Sequence, residues 1–93
     1  MRATVSAGPD ASELVGRVKD LGGGGVRVET HNEIPEGTPI ILTLWTPWGS
    51  VTLGGKVVWG RRSDQEAVHG FMFDVPIGDA RARQLYDESS AKG

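Results

Sequence analysis

Fourteen glycines and five prolines are spread over 93 residues and cut the chain into short apolar runs. Glycine and proline at turn-like intervals between β-branched runs point to an all-β sandwich or barrel. The clearest run is Val51 to Trp59. Val51, Leu53, Val57 and Trp59 fall on one face with Gly55 in register, while Thr52, Lys56 and Val58 fall on the other. A period of two over nine residues is a strand pattern, because a helix would scatter those apolar positions around its axis. Gly54-Gly55 in its middle predicts a bulge or a sharp bend of the kind that closes a small barrel.

The neighbouring segments follow the same rule. Pro39 to Thr46 reads as a strand with Ile41 and Trp45 on one face and Ile40, Leu42 and Leu44 on the other. Thr46-Pro47-Trp48-Gly49 then makes the turn of a hairpin, with Pro47 presetting φ. Glu13 to Lys19 and Gly25 to Thr30 are two shorter strands around Asp20-Leu21-Gly22-Gly23-Gly24-Gly25, with Val26 and Val28 inward and Arg27 and Glu29 outward. Ala67 to Val75 places Ala67, His69, Phe71, Phe73 and Val75 on one face, and Arg2 to Ser6 supplies a first strand. After Asp79, which can cap a helix, the period changes: Ala82, Leu85 and Tyr86 share a face at i, i+3 and i+4. A helix this short is marginal alone and must be held by packing, as a plug across one barrel end. We therefore expect one domain over residues 1–93: a six-stranded antiparallel barrel over about 2–76 and a helix over about 79–90.

Composition narrows function mainly by exclusion. Ten basic against twelve acidic residues give a net charge of −2 and a pI near 5.6, a poor match for the dense basic surface that nucleic-acid backbones require. With no cysteine, disulfides, thiolate metal sites and a cysteine nucleophile are excluded. The longest apolar run is Pro39-Ile40-Ile41-Leu42, far short of a membrane span. The opening residues lack the apolar core of a secretory signal, so a cytoplasmic setting is expected. No enzyme constellation emerges. His31 and His69 are the two imidazoles, no nucleophile elbow occurs, and Glu29, His31, Glu33 and Glu36 read as a solvated loop rather than a metal site. Gly54-Gly55-Lys56 resembles the end of a phosphate-binding loop but lacks its first glycine and its following hydroxyl residue.

Two features carry more weight. Trp45, Trp48 and Trp59 make half of the six aromatic residues. They could be stacking platforms on an oligonucleotide-binding barrel, which the acidic pI disfavours. Trp59 reads as core, whereas an indole in the turn at Trp48 is better explained by contact with a protein. The run Gly22-Gly23-Gly24-Gly25 can either cradle an anion with backbone N–H groups or serve as a plain tight turn, and composition favours the turn.

The order of pieces resembles the PilZ domains, bacterial modules that bind cyclic di-GMP. The residues that carry the resemblance are Gly16-Arg17-Val18-Lys19-Asp20-Leu21-Gly22-Gly23-Gly24-Gly25-Val26, Gly55-Lys56-Val57-Val58-Trp59 and His69-Gly70-Phe71-Met72-Phe73, with a closing helix reaching Leu85-Tyr86. The resemblance implies a six-stranded antiparallel barrel with a C-terminal helix, which agrees with the reading above. It also implies a nucleotide site built from Arg-x-x-x-Arg near the N-terminus and Asp/Asn-x-Ser-x-x-Gly between two strands. Here the second element persists as Asp20-Leu21-Gly22-Gly23-Gly24-Gly25, with Gly22 in place of the hydroxyl residue. Of the first, only Arg2 has a counterpart, at the second arginine. Losing an arginine contact and a hydroxyl contact costs roughly 3–5 kcal/mol together. That weakens a micromolar site by about two to four decades. The expectation is a degenerate, non-enzymatic regulatory module without a cofactor of its own. It would act by protein contact in motility, cell polarity or pilus regulation, through Trp48 and an Arg61-Arg62 loop. The alternative is a cyclic di-GMP receptor whose site, at Arg2, Asp20, Gly22 and Gly25 with Arg61 and Arg62, is weak or completed by a partner.

Overall fold

The computed structural model describes residues 1–7 and 13–92. Its elements are β1 (Arg2–Ser6), β2 (Leu14–Leu21), β3 (Gly25–Thr30), β4 (Pro39–Thr46), β5 (Gly49–Ser63), β6 (Glu66–Phe73) and α1 (Asp79–Lys92). The strands close into a barrel in the order β1-β2-β3-β6-β5-β4, every pair antiparallel. Two three-stranded meanders, β1-β2-β3 and β4-β5-β6, are thus joined edge to edge through β1–β4 and β3–β6. Each strand pairs with two neighbours, β5 with β4 over its first half and with β6 over its second. The expected six-stranded antiparallel barrel with a C-terminal helix is what the chain forms.

Alternation explains the core. Ile40, Leu42 and Leu44 of β4, Val26 and Val28 of β3, and Ala67, His69, Phe71 and Phe73 of β6 all turn inward and are buried. Ile41 and Trp45 occupy the outer face of β4 and are exposed. Each fully buried leucine or phenylalanine contributes about 1.5–3 kcal/mol. α1 packs against β2 and β4, burying Ala82 and Leu85, while Tyr86 is half-buried against the core. That packing supplies the stability that its length does not.

Four strand expectations need correction. Trp59 was expected on the inner face with Val57, yet it is 40% exposed. The β5–β6 register shifts between Val57 and Trp59, and one extra residue in a period of two sends every following side chain to the opposite face. The break does not lie at Gly54-Gly55, where the β4–β5 register is continuous. Gly55 is needed for a different reason, since a Cβ there would stand 2.4 Å from the Met72 carbonyl oxygen. Gly55 and Lys56 pair with both β4 and β6, marking where β5 passes from one neighbour to the next. Finally, β6 ends at Phe73, leaving Val75 outside it and 75% exposed. β5, conversely, runs on to Ser63, so Arg61 and Arg62 stand in a strand and not in a loop.

His69 is fully buried, and its Nε2 accepts a hydrogen bond from the Ile34 N–H at 2.8 Å. That bond fixes the β3–β4 connection against the barrel and requires the neutral ring. Burial lowers the His69 pKa below 6.5, against smaller opposing effects of the Glu33 carboxylate and the Val28 backbone. Among the described residues Nδ1 has no partner that meets hydrogen-bond geometry.

Candidate functional site

The glycine run is a joint between the barrel and the helix. Gly22 N–H donates to the Gly25 carbonyl at 2.8 Å, closing the β2–β3 turn. Gly23 then holds the start of α1 from both sides. Its N–H donates to Asp79 Oδ1 at 3.1 Å, and its carbonyl accepts from Ile77 and Gly78 at 2.8 and 3.4 Å. The Gly24 carbonyl accepts from Phe73 N–H at 2.9 Å. None of these four glycines has positive φ, so left-handed backbone is not why they are glycine. Close approach is the reason at two of them. A Cβ on Gly23 would lie 2.6 Å from Asp79 Oδ1, and one on Gly25 2.4 Å from the Phe71 carbonyl oxygen. Among the described residues nothing lies within 4 Å of a Cβ on Gly24, and one on Gly22 would stand 3.7 Å from the Gly25 oxygen.

Asp79 therefore has a different task from the expected cap. The first helical bond runs from Ala82 N–H to the Gly78 carbonyl, which makes Gly78 the capping residue, with φ 88°. The Asp79 carboxylate sits in the first turn, where the helix dipole favours negative charge, and reaches back to the glycine loop. An anion does meet a loop N–H, but it is the chain's own.

The other residues singled out from sequence do not converge. Asp20 belongs to the end of β2 and stands opposite Arg27 of β3. Arg2 pairs with Arg17 across β1–β2, five strand residues and roughly 15 Å from Gly22. Trp48, 72% exposed, tips the β4–β5 turn at one end of β5. Arg61 and Arg62 lie near the other end, opposite Val68 and Ala67. Successive strand residues face opposite ways, so Arg61 shares the outer face with Val68 while Arg62 does not.

Reasoning from sequence missed two groupings. One is the Arg2–Arg17 pair, beside a cavity of about 360 Å³ that Glu29, His31 and Glu66 also line. Cross-strand register, invisible in a linear motif, puts those arginines together. The second surrounds Trp59 on the outer barrel face, where Lys19, Arg27, Trp59, Arg61 and Val68 line a cavity of about 370 Å³. The indole lies over Gly70, where a Cβ would come within 2.1 Å of Trp59 Nε1. A glycine inside an otherwise apolar strand was the available signal, since such a position often accommodates a large neighbour. Among the described residues no group of three or more His, Asp or Glu side chains could hold a metal ion. Nor is any helix there long and apolar enough to cross a membrane.

A closed small barrel with a helix keyed into one turn, and with polar and aromatic groups displayed on its outer strands, defines a binding module. The family model of the PilZ domain matches residues 1–88, and the chain belongs to that family. PilZ domains are binding and regulatory modules of cyclic di-GMP signalling. No curated protein and no solved structure matches the chain significantly.

Proposed function

We propose that this PilZ domain is a regulatory module that acts by contact with a protein, in the motility, polarity or pilus regulation of its family, and without a tight nucleotide site of its own. The observation that carries this reading is the Gly23–Asp79 hydrogen bond at 3.1 Å. It supports the reading because one donor of the loop, the Gly23 N–H, is already engaged by an internal carboxylate. Gly22 in turn offers no hydroxyl, and Arg2 stands well apart from both. The groups left outward, Trp48 at the β4–β5 turn and Trp59 with Arg61 on the outer strands, are those that protein contacts favour.

Thermal denaturation with and without cyclic di-GMP tests it. A ligand present at a hundred times its Kd adds about 2.7 kcal/mol to stability, so a micromolar site would raise the Tm clearly. The expected result is an unmoved Tm.

A second reading keeps the nucleotide, and the Arg2–Arg17 pairing favours it. Two guanidinium groups side by side offer the paired cations that the sequence motif lacks. On this reading cyclic di-GMP binds weakly, and R2A and R17A each abolish the binding.

A further inference from the structure

The outer face around Trp59 is arranged as a grid. One row across β2, β3, β6 and β5 reads Asp20, Arg27, Gly70, Trp59, and the next row includes Glu29, Val68 and Arg61. Trp59 is turned outward by the register shift and lies over Gly70, so the indole lies flat along the outer face of the sheet. Val68 continues the apolar floor. Lys19 is engaged by Glu29 at 3.7 Å. Among the described residues neither Arg27 nor Arg61 has a carboxylate within 4.0 Å. Two guanidinium groups without ion-pair partners thus flank an apolar, aromatic floor in a chain whose net charge is −2.

The spacing specifies an occupant. Arg27 and Arg61 are separated by two strand widths across the sheet and two residues along it, about 12 Å between Cα atoms. In an extended peptide, residues i and i+4 lie about 13 Å apart on one face, with i+2 between them on the same face. We propose that this groove docks an extended acidic segment of a partner protein, with carboxylates at i and i+4 on the two arginines and an apolar side chain at i+2 on Trp59 and Val68. The assignment rests on the protein-contact reading above and names the chemistry of the partner. Charge-assisted, bidentate bonds to the arginines supply orientation, and the indole supplies buried area at low entropic cost.

The test is an NMR titration of the ¹⁵N-labelled domain with a capped peptide Gly-Glu-Ser-Leu-Ser-Glu-Gly, following the indole N–H signals of Trp59 and Trp48. Expected are shifts at Trp59, Arg27, Arg61 and Val68. R27E and R61E should each weaken binding about tenfold or more, and added salt should weaken it further. A peptide with lysine for glutamate should leave the signals in place. Shifts confined to Trp48 would overturn the groove but keep the protein-contact reading. No shift at millimolar peptide would overturn the groove alone. Displacement of the peptide by micromolar cyclic di-GMP would overturn both.

Discussion

The glycine loop and the Trp59 face differ in what their polar groups have left to offer. At the loop, Gly23 donates to Asp79 and accepts from Ile77 and Gly78, and the Gly24 carbonyl accepts from Phe73. On the outer face, Arg27 and Arg61 have no ion-pair partner among the described residues, and Trp59 remains 40% exposed. In the sequence the loop resembles a family ligand motif, although composition favours a plain turn, and Trp59 has the look of core. The comparison teaches that a motif becomes a site only through the donors and acceptors that the fold leaves unspent.

Substitutions in the loop should therefore be paid in stability, and those on the face in binding. The largest effect is expected for Gly25→Ala. Its Cβ meets a backbone oxygen at 2.4 Å, and neither partner can yield without moving β3 from β6, so a loss of about 3 kcal/mol is expected in urea denaturation. Asp79→Ala removes both the Gly23 bond and the favourable charge in the first turn, and about 1–2 kcal/mol should be lost. A Gly25→Ala variant as stable as wild type would contradict the close approach of β3 to β6 at this position.

A subtler effect concerns the buried imidazole. The folded pKa of His69 is below 6.5, so the unfolded chain takes up the proton first. Stability is then complete above 6.5 and declines as pH falls through 6.5 toward the folded pKa. In His69→Gln, which keeps an acceptor for the Ile34 N–H, this component of the decline should vanish. Urea midpoints at about pH 8 and pH 5.5 for both proteins measure the difference. The smallest stability effects belong to Gly24→Ala, with nothing within 4 Å of the new methyl, and to the exposed Arg27→Glu and Arg61→Glu, all expected within about 0.5 kcal/mol of wild type. A large loss from either arginine variant would mean that the face is structural.

Much of the fold was legible because period-two alternation and turn residues are local signals. β3, β4 and most of β6 obey them directly, and so does the switch to a helical period at Ala82, Leu85 and Tyr86. Trp59 was misread because a single extra residue reverses the alternation, and no composition rule places that residue at Val58 rather than at Gly54-Gly55. The site was less legible. Arg2 with Arg17, and Trp59 with Arg27 and Arg61, are neighbours through cross-strand register, which depends on how the barrel closes. Asp79 meets Gly23 across 56 residues of sequence, a pairing that exists only once the helix is seated. Gly23 and Gly25, read as turn formers, are glycines because another part of the chain passes too close for a Cβ.

The central claim is that this PilZ domain works without a tight nucleotide site of its own. Calorimetric titration of cyclic di-GMP into the purified chain addresses it most directly. No measurable heat is expected up to about 1 mM ligand, a binding free energy weaker than about −4 kcal/mol. Saturable micromolar binding, lost in Arg2→Ala and Arg17→Ala, would contradict it and place the nucleotide at the paired arginines of β1 and β2.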